Sequence, residues 1–178
     1  MMYEYFVLKQ DLYYRTGIQA PIRSYYEYSK KVQQGDYTGL EIPEVIVVEP
    51  GEFNLYPEIL SRQVFMVKQS ILDVILLFNK NMKYSMKYVM DRKYKKMHPY
   101  FIPFLQTVDC LSTKAEIASG GKLSKAVLNA KKIQKETHIF QLDKLQKNTI
   151  VVSTALLEAI LRRKPEMITF TRVEMSEV

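Results

Sequence analysis

The sequence is poor in the residues that form disulfides and metal sites. It has one cysteine, Cys110, and two histidines, His98 and His138. A lone cysteine cannot form an internal disulfide, and a single thiol is typical of a reducing compartment. Structural zinc sites take three or four Cys, His or carboxylate ligands, and the chain has neither Cys-x-x-Cys nor His-x-x-x-His. We therefore predict that the protein uses no metal and no cofactor.

Catalytic motifs are missing as well. Cys110 could pair with a distant histidine as a nucleophile, but the strand-like run Val108–Leu111 favours a buried thiol. Gly120-Gly121-Lys122 resembles a phosphate-binding loop only superficially, because Leu123 follows the lysine and Glu116 stands where the first glycine belongs. We therefore expect a protein that is not an enzyme.

Long hydrophobic runs are also absent. Apolar runs such as Val74–Phe78 are far shorter than the roughly 20 residues that cross a bilayer. Glu4 stands where a secretory signal has basic residues, so a cytoplasmic location is expected. The length of 178 residues and the 47% hydrophobic content fit one domain over residues 1–178, with 1–63 and 64–178 as candidate subregions.

Strand and helix patterns are mixed along the chain. The residues around Tyr5 suit a strand buried on both faces, and Val45–Val48 is a β-branched run that predicts a buried strand. Residues 88–111 are β-rich, and Met167–Val173 alternates as a closing strand does. These patterns predict an α+β fold with a mixed or largely antiparallel sheet and a few packed helices.

Two segments share one strand-to-helix pattern. Val64–Val67 leads into the apolar helix pattern of residues 70–76, and Thr149–Val152 leads into that of residues 155–161. Ser153 or Thr154 can cap the second helix, whereas Gln69 or Ser70 begins the first. We therefore predict two similar strand-to-helix units.

Basic residues are concentrated in the middle of the chain. Residues 80–147 contain 15 Lys and Arg against 5 Asp and Glu, whereas residues 1–79 contain 7 against 10. The densest run includes Lys80, Lys83, Lys87 and residues 92–96, and Asp91 alone opposes it. Such a patch attracts acidic partners, although it can also be a solvated face that keeps a protein soluble.

Tyrosines lie between these cations. Tyr84, Tyr88 and Tyr94 interleave with the basic run, and aromatic rings between cations can stack single-stranded bases. The same alternation is typical of a two-faced strand that turns its rings inward and its ammonium groups outward. Both interpretations stay open at this point.

Tyrosine is also frequent near the N-terminus. Eight of the 13 tyrosines lie within the first 37 residues, and tyrosine is enriched at protein interfaces. Pro21 can open a helix that stops at Gly35, and the adjacent Tyr25 and Tyr26 cannot point the same way on it. One of the two is a candidate partner contact, and the alternative is half-buried packing.

Several short motifs follow one another in the C-terminal half. They are Tyr100-Phe101-Ile102-Pro103, Val108-Asp109-Cys110-Leu111, His138-Ile139-Phe140-Gln141-Leu142, Val151-Val152-Ser153 with Leu156–Ile160, and Thr169-Phe170. Over residues 88–175 this order resembles the bacterial immunity proteins of polymorphic toxin systems, formerly a domain of unknown function. The resemblance implies a non-catalytic cytoplasmic protein that neutralises a cognate toxin by binding it. It implies no particular functional residues, because the matched positions are packing positions.

Two functional hypotheses follow. In the first, an immunity protein binds a toxin that has an acidic surface. In the second, the same basic, tyrosine-containing segment binds nucleic acid. The candidate partner-binding residues are Lys87, Arg92, Lys93, Tyr94, Lys95, Lys96, Tyr25 and Tyr26.

Overall fold

The structure is a computed structural model with an α+β fold, as the sequence predicts. It describes residues 4–11, 29–32, 34–40, 42–48, 55–61, 64–119, 122–143, 145 and 149–177. The candidate contacts Tyr25 and Tyr26 lie outside the described residues.

Strands make up most of the described elements. They are β1 (Tyr5–Gln10), β2 (Glu44–Val48), β3 (Ile59–Leu60), β4 (Met66–Val67), β5 (Tyr84–Asp91), β6 (Lys96–Pro103), β7 (Thr107–Val108), β8 (Glu116–Ala118), β9 (Lys122–Lys125), β10 (Val127–Asn129), β11 (Ile139–Leu142), β12 (Ile150–Ser153), β13 (Ile168–Arg172) and β14 (Glu174–Ser176). The helices are α1 (Gln69–Phe78) and α2 (Thr154–Leu161), with a 3-10 turn at Ala130–Lys132. Residues 29–32 are also helical, and Gly35 ends that region at a positive φ of 68°.

The first five-stranded sheet has the order β13-β1-β12-β11-β7. Its pairs are antiparallel except for β11 with β7. Tyr5 and Val7 pack in one core cluster and Leu8 in another, so that both faces of β1 are largely buried, with Lys9 exposed. The prediction of a strand buried on both faces is therefore confirmed for β1.

The second five-stranded sheet has the order β2-β5-β6-β4-β3. Here β2 runs parallel to β5, and the other pairs are antiparallel. Pro99 lies in β6 away from the single β4 pair at Phe101, and Pro103 ends that strand. Both prolines therefore occupy positions where a missing N–H costs little pairing.

The two predicted strand-to-helix units are confirmed, one in each large sheet. Strand β4 leads into α1, and β12 leads into α2. The hydroxyl of Ser153 accepts a 3.3 Å hydrogen bond from the Leu156 N–H, so Ser153 caps α2 as expected. Side chains of both helices, such as Ile71 and Leu156, share one core cluster that joins the two sheets.

The prediction of a buried strand at Val45–Val48 is only partly correct. Ile46 is buried, but the side chain of Val45 is 45% exposed and that of Val47 is half-buried. Successive side chains of a strand point to opposite faces of a sheet, so a β-branched run can be buried on one face and open on the other. The sequence run alone does not distinguish these cases.

Candidate functional site

Five of the eight predicted contact residues come together at the end of one β-hairpin. Strands β5 and β6 pair from Tyr84 opposite Pro103 to Asp91 opposite Lys96. The turn between them and the first residue of β6 place five exposed residues next to one another: Arg92, Lys93, Tyr94, Lys95 and Lys96. We call residues 92–96 the basic tip. It presents four cations and one tyrosine at the end of the hairpin, where β2 also pairs with β5 as far as Asp91.

A buried carboxylate holds the basic tip in place. Asp91 is 1% exposed. One of its oxygens, Oδ1, accepts a 3.1 Å hydrogen bond from the Tyr94 N–H within the turn. The other oxygen, Oδ2, accepts a 2.6 Å hydrogen bond from the Tyr56 hydroxyl. Because a buried carboxylate is stable only when its oxygens are hydrogen-bonded, these contacts fix the turn to the body of the protein.

Tyr56 is itself fixed by a ring contact. Its ring stacks on His98 with 3.7 Å between the ring centroids and 8° between the ring planes. Burial lowers the pKa of His98, and the nearby Lys68 acts in the same direction. The tip therefore rests on Asp91, Tyr56 and a histidine whose environment favours the neutral ring.

The outer surface of the tip combines charge with an aromatic ring. The side chain of Tyr94 is 55% exposed, and Lys93 Nζ lies 5.2 Å from the centre of its ring. Lys95 has a φ of 52°, the left-handed conformation that closes many short hairpin loops. The exposed ring of Tyr94 therefore lies beside the Lys93 ammonium group within the turn.

Lys87 does not belong to this surface, which corrects its assignment as a contact residue. Its side chain is 1% exposed, and Nζ donates hydrogen bonds to the carbonyl oxygens of Leu40 (3.1 Å) and Ile42 (2.8 Å). The Glu44 carboxylate lies 3.7 Å away. Burial lowers the pKa of Lys87, and Glu44 opposes that shift. Lys87 therefore connects Leu40, Ile42 and Glu44 to β5 from inside.

The direction of Lys87 also reverses the expected faces of β5. One of the two interpretations of the sequence turns the tyrosine rings inward and the ammonium groups outward, whereas Lys87 points inward and Tyr84 is 45% exposed. Lys87 and Asp91 are four residues apart and share the buried face of the strand. The buried ammonium group of Lys87 is stable there because the backbone carbonyl oxygens of Leu40 and Ile42 accept hydrogen bonds from it.

The basic run of the sequence is divided between two places. Lys80 and Lys83 precede β5, while the basic tip follows it. An eight-residue strand rises about 3.4 Å per residue, so roughly 24 Å separates the two ends. The cations that are close in sequence therefore form at least two separate surfaces.

A second polar site lies at the C-terminal end of α1. A cleft of about 580 Å³ is lined by Phe78, Lys83, Lys135 and His138, among other residues. His138 Nδ1 lies 2.8 Å from the Ser153 hydroxyl oxygen, and burial lowers the pKa of the ring while Glu136 opposes the shift. This contact superficially resembles a Ser–His nucleophile pair.

Burial of the serine gives that contact a structural role. Ser153 is 0% exposed, and its hydroxyl already caps α2. A nucleophilic hydroxyl must reach its substrate, and this one lies inside the protein. The His138–Ser153 pair therefore joins the segment before β11 to the start of α2.

Cys110 lies in the core, as the sequence predicts. The side chain is 0% exposed, and burial together with Asp109 raises the pKa of the thiol to about 12. A thiol of this kind has little thiolate at neutral pH and is a poor nucleophile. Within the described part of the chain, no cluster of three or more His, Cys, Asp or Glu side chains is arranged to hold a metal ion.

Comparisons with known proteins neither support nor contradict the resemblance to immunity proteins. No protein-family model matches the chain, and no curated protein matches it either. None of the helices in the described ranges has the length and apolar character needed to cross a bilayer.

Proposed function

We propose that the protein is a non-catalytic immunity protein that binds and neutralises a cognate bacterial toxin in the producing cell. The basic tip is the observation that carries the proposal. It gathers Arg92, Lys93, Tyr94, Lys95 and Lys96 at the end of a hairpin that Asp91 anchors. The order of short motifs in the C-terminal half supports the immunity class, and the tip supplies the means of binding.

The physics of association favours such a tip. Clustered cations steer an acidic partner toward one orientation and raise the association rate, while a partly exposed tyrosine offers contact area at little entropic cost. Since Asp91 and Tyr56 hold the turn from inside, less ordering is needed on binding. A protein partner with acidic side chains fits these features.

Nucleic acid is the second candidate, and Tyr94 is the observation that favours it. The exposed ring lies among cations and could stack on a base. Strand-binding proteins place cations along a groove that follows the backbone, however, whereas the exposed cations of the basic run lie at the end of a hairpin and near Lys83 at its other end. The arrangement therefore suits a local contact with a protein better.

A tagged pull-down from the native cell's lysate, divided into nuclease-treated and untreated halves, identifies the partner class. We expect one protein to survive nuclease in stoichiometric amount. That protein is then produced in a host cell, alone and together with this chain. The proposal predicts that it stops growth alone and that co-production restores growth.

Two results would contradict the proposal. Loss of all retained material after nuclease would transfer the function to nucleic-acid binding. A nuclease-resistant partner that leaves growth unaffected would argue against toxin neutralisation, although the protein would still be a binding module.

A further inference from the structure

The second large sheet has an unusual distribution of polarity between its faces. On β5, the buried face carries Ser85, Lys87 and Asp91, each 1% exposed, together with Val89 at 0%. The opposite face carries Tyr84, Met86, Tyr88 and Met90 in alternation. A surface strand normally turns its charges toward water and its apolar side chains toward the core. This strand keeps its charges inside and turns a continuous apolar series to the other side.

Neighbouring strands extend the apolar series across the sheet. Val45 and Val47 of β2 pair with Tyr88 and Met90, which in turn pair with Pro99 and Met97 of β6. We call these six side chains the open face: Val45, Val47, Tyr88, Met90, Met97 and Pro99. None of the six belongs to a core cluster of the described residues.

Only part of this side of the sheet is covered. Toward Pro103, Phe101 and Val67 are buried with Met86 packed beside them, in the cluster that includes α1 residues. Toward the basic tip, Met97 is 57% exposed and Val45 is 45% exposed. Pro99 is exposed as well, and the other three side chains of the open face are half-buried. The open face therefore lies between the side chains that this cluster covers and the basic tip.

The open face and the basic tip are adjacent. Met90 and Met97 are the last outward pair of the hairpin before Asp91, Lys96 and the turn. Methionine and valine side chains release water when they meet apolar side chains, and flexible methionines adapt to an irregular surface. An apolar centre beside a charged rim is the usual anatomy of a protein interface.

Charge identifies the kind of partner. The strand positions of the open face carry no ionisable group except the Tyr88 phenol, while the adjoining tip carries four cations. A second copy of a chain with a net charge of +7 would meet repulsion instead of complementarity. Nucleic acid would meet the cations mainly through its phosphates and would cover few of the valine and methionine side chains. A protein surface with an apolar centre and flanking carboxylates complements both the open face and the basic tip.

We propose that the open face is the docking surface for the toxin partner, which covers it with apolar side chains while its carboxylates meet the basic tip. This inference rests on the proposed function, because it requires a protein partner. The two surfaces have different kinetic roles: the basic tip controls the rate of association, and the open face controls the rate of dissociation.

Neutral substitutions separate the two surfaces. The probe is the nuclease-resistant partner protein, purified after its capture in the pull-down. Val45→Thr with Met97→Gln makes the open face polar at nearly constant size and leaves every charge unchanged. The matched control is Ile117→Thr with Leu77→Gln, since those side chains are 48% and 68% exposed on other elements.

We expect the V45T M97Q variant to dissociate at least about tenfold faster, with its association rate and salt dependence unchanged. The I117T L77Q control should behave as the wild type does. Hydrogen peroxide footprinting of the captured complex gives a second readout that needs no substitution. Met97 should oxidise in the free protein and be protected in the complex, while buried Met66 stays protected in both.

Each alternative outcome overturns the inference in a recognisable way. Unchanged dissociation by V45T M97Q, with normal folding and a Met97 that still oxidises in the complex, removes the open face but leaves the proposed function standing. Concentration-dependent dimerisation of the free protein that V45T M97Q abolishes would make a second copy the occupant. Absence of any nuclease-resistant partner overturns both proposals together.

Discussion

The Tyr56 hydroxyl donates a 2.6 Å hydrogen bond to Asp91, although the two residues are 35 positions apart in the chain. Asp91 is at once the last residue of β5 and the acceptor for the Tyr94 N–H in the following turn. A single buried carboxylate therefore connects the body of the second sheet to the exposed basic tip. The geometry of the candidate interface depends on this connection.

Removing the connection should cost stability in a graded way. Tyr56→Phe deletes one hydrogen bond to a buried carboxylate and should lower the free energy of unfolding by about 1.5–3 kcal/mol. Asp91→Ala also leaves the Tyr94 N–H without its acceptor, so its cost should exceed that of Tyr56→Phe. Urea denaturation of the two variants and the wild type measures the order. Equal stability of Tyr56→Phe and wild type would show that the hydrogen bond contributes nothing.

The buried position of Lys87 predicts a stability effect without a binding effect. Lys87→Met removes the donor for the Leu40 and Ile42 carbonyl oxygens and the partner of Glu44, and should cost about 1–3 kcal/mol of unfolding free energy. Because the ammonium group is not on the surface, the salt dependence of partner association should stay unchanged. Lys93→Met is the matched comparison, with little effect on stability and a reduced salt dependence. The reverse pattern would return Lys87 to the contact surface.

Two histidines should make the protein less stable in mild acid. Burial lowers the pKa values of His98 and His138 below the ordinary value of 6.5. The folded state then binds fewer protons than the unfolded chain, so stability falls as the pH drops below about 6.5 and through the lowered values. Charged groups near His98 are Lys68, Asp91 and Lys96, whereas Glu136 is near His138.

Denaturation midpoints between pH 7.5 and 5 test this dependence. The double variant H98N H138N should show a shallower loss of stability with falling pH than the wild type. Both proteins are compared at each pH, so that the titration of carboxylates common to the two cancels. Identical slopes would mean that neither histidine couples protonation to folding.

Local sequence patterns were sufficient for much of the architecture. The strand-to-helix units at β4–α1 and β12–α2 and the closing strand β13 were predicted because their apolar periodicity and caps are contained in short segments. The clustering of residues 92–96 followed for the same reason, since a four-residue turn and the strand residue directly after it cannot lie far apart. The division of the strands between two large sheets was not predicted, because pairing joins distant segments such as β1 and β12.

The site's interior could not be predicted from the sequence. Alternation along β5 defines two faces but does not say which one is buried, and Lys87 is inside because Leu40 and Ile42 supply carbonyl oxygens from a distant segment. Asp91 was interpreted as an interruption of the basic run, although an aspartate just before a turn often accepts a nearby backbone N–H. Tyr56 had no local signal that connected it to the tip.

The central claim is that the basic tip recruits a protein partner, and the association rate constant as a function of salt tests it most directly. Lys93→Glu, Lys95→Glu and Lys96→Glu together reverse the tip. The control variant reverses Lys131, Lys132 and Lys135, which are equally exposed cations elsewhere, and has the same net charge. We expect the tip variant to associate about tenfold or more slowly at low salt and with a weaker salt dependence, whereas the control changes little. Equal rates for the wild type and the tip variant at low salt, or an equal loss in the control, would contradict the account.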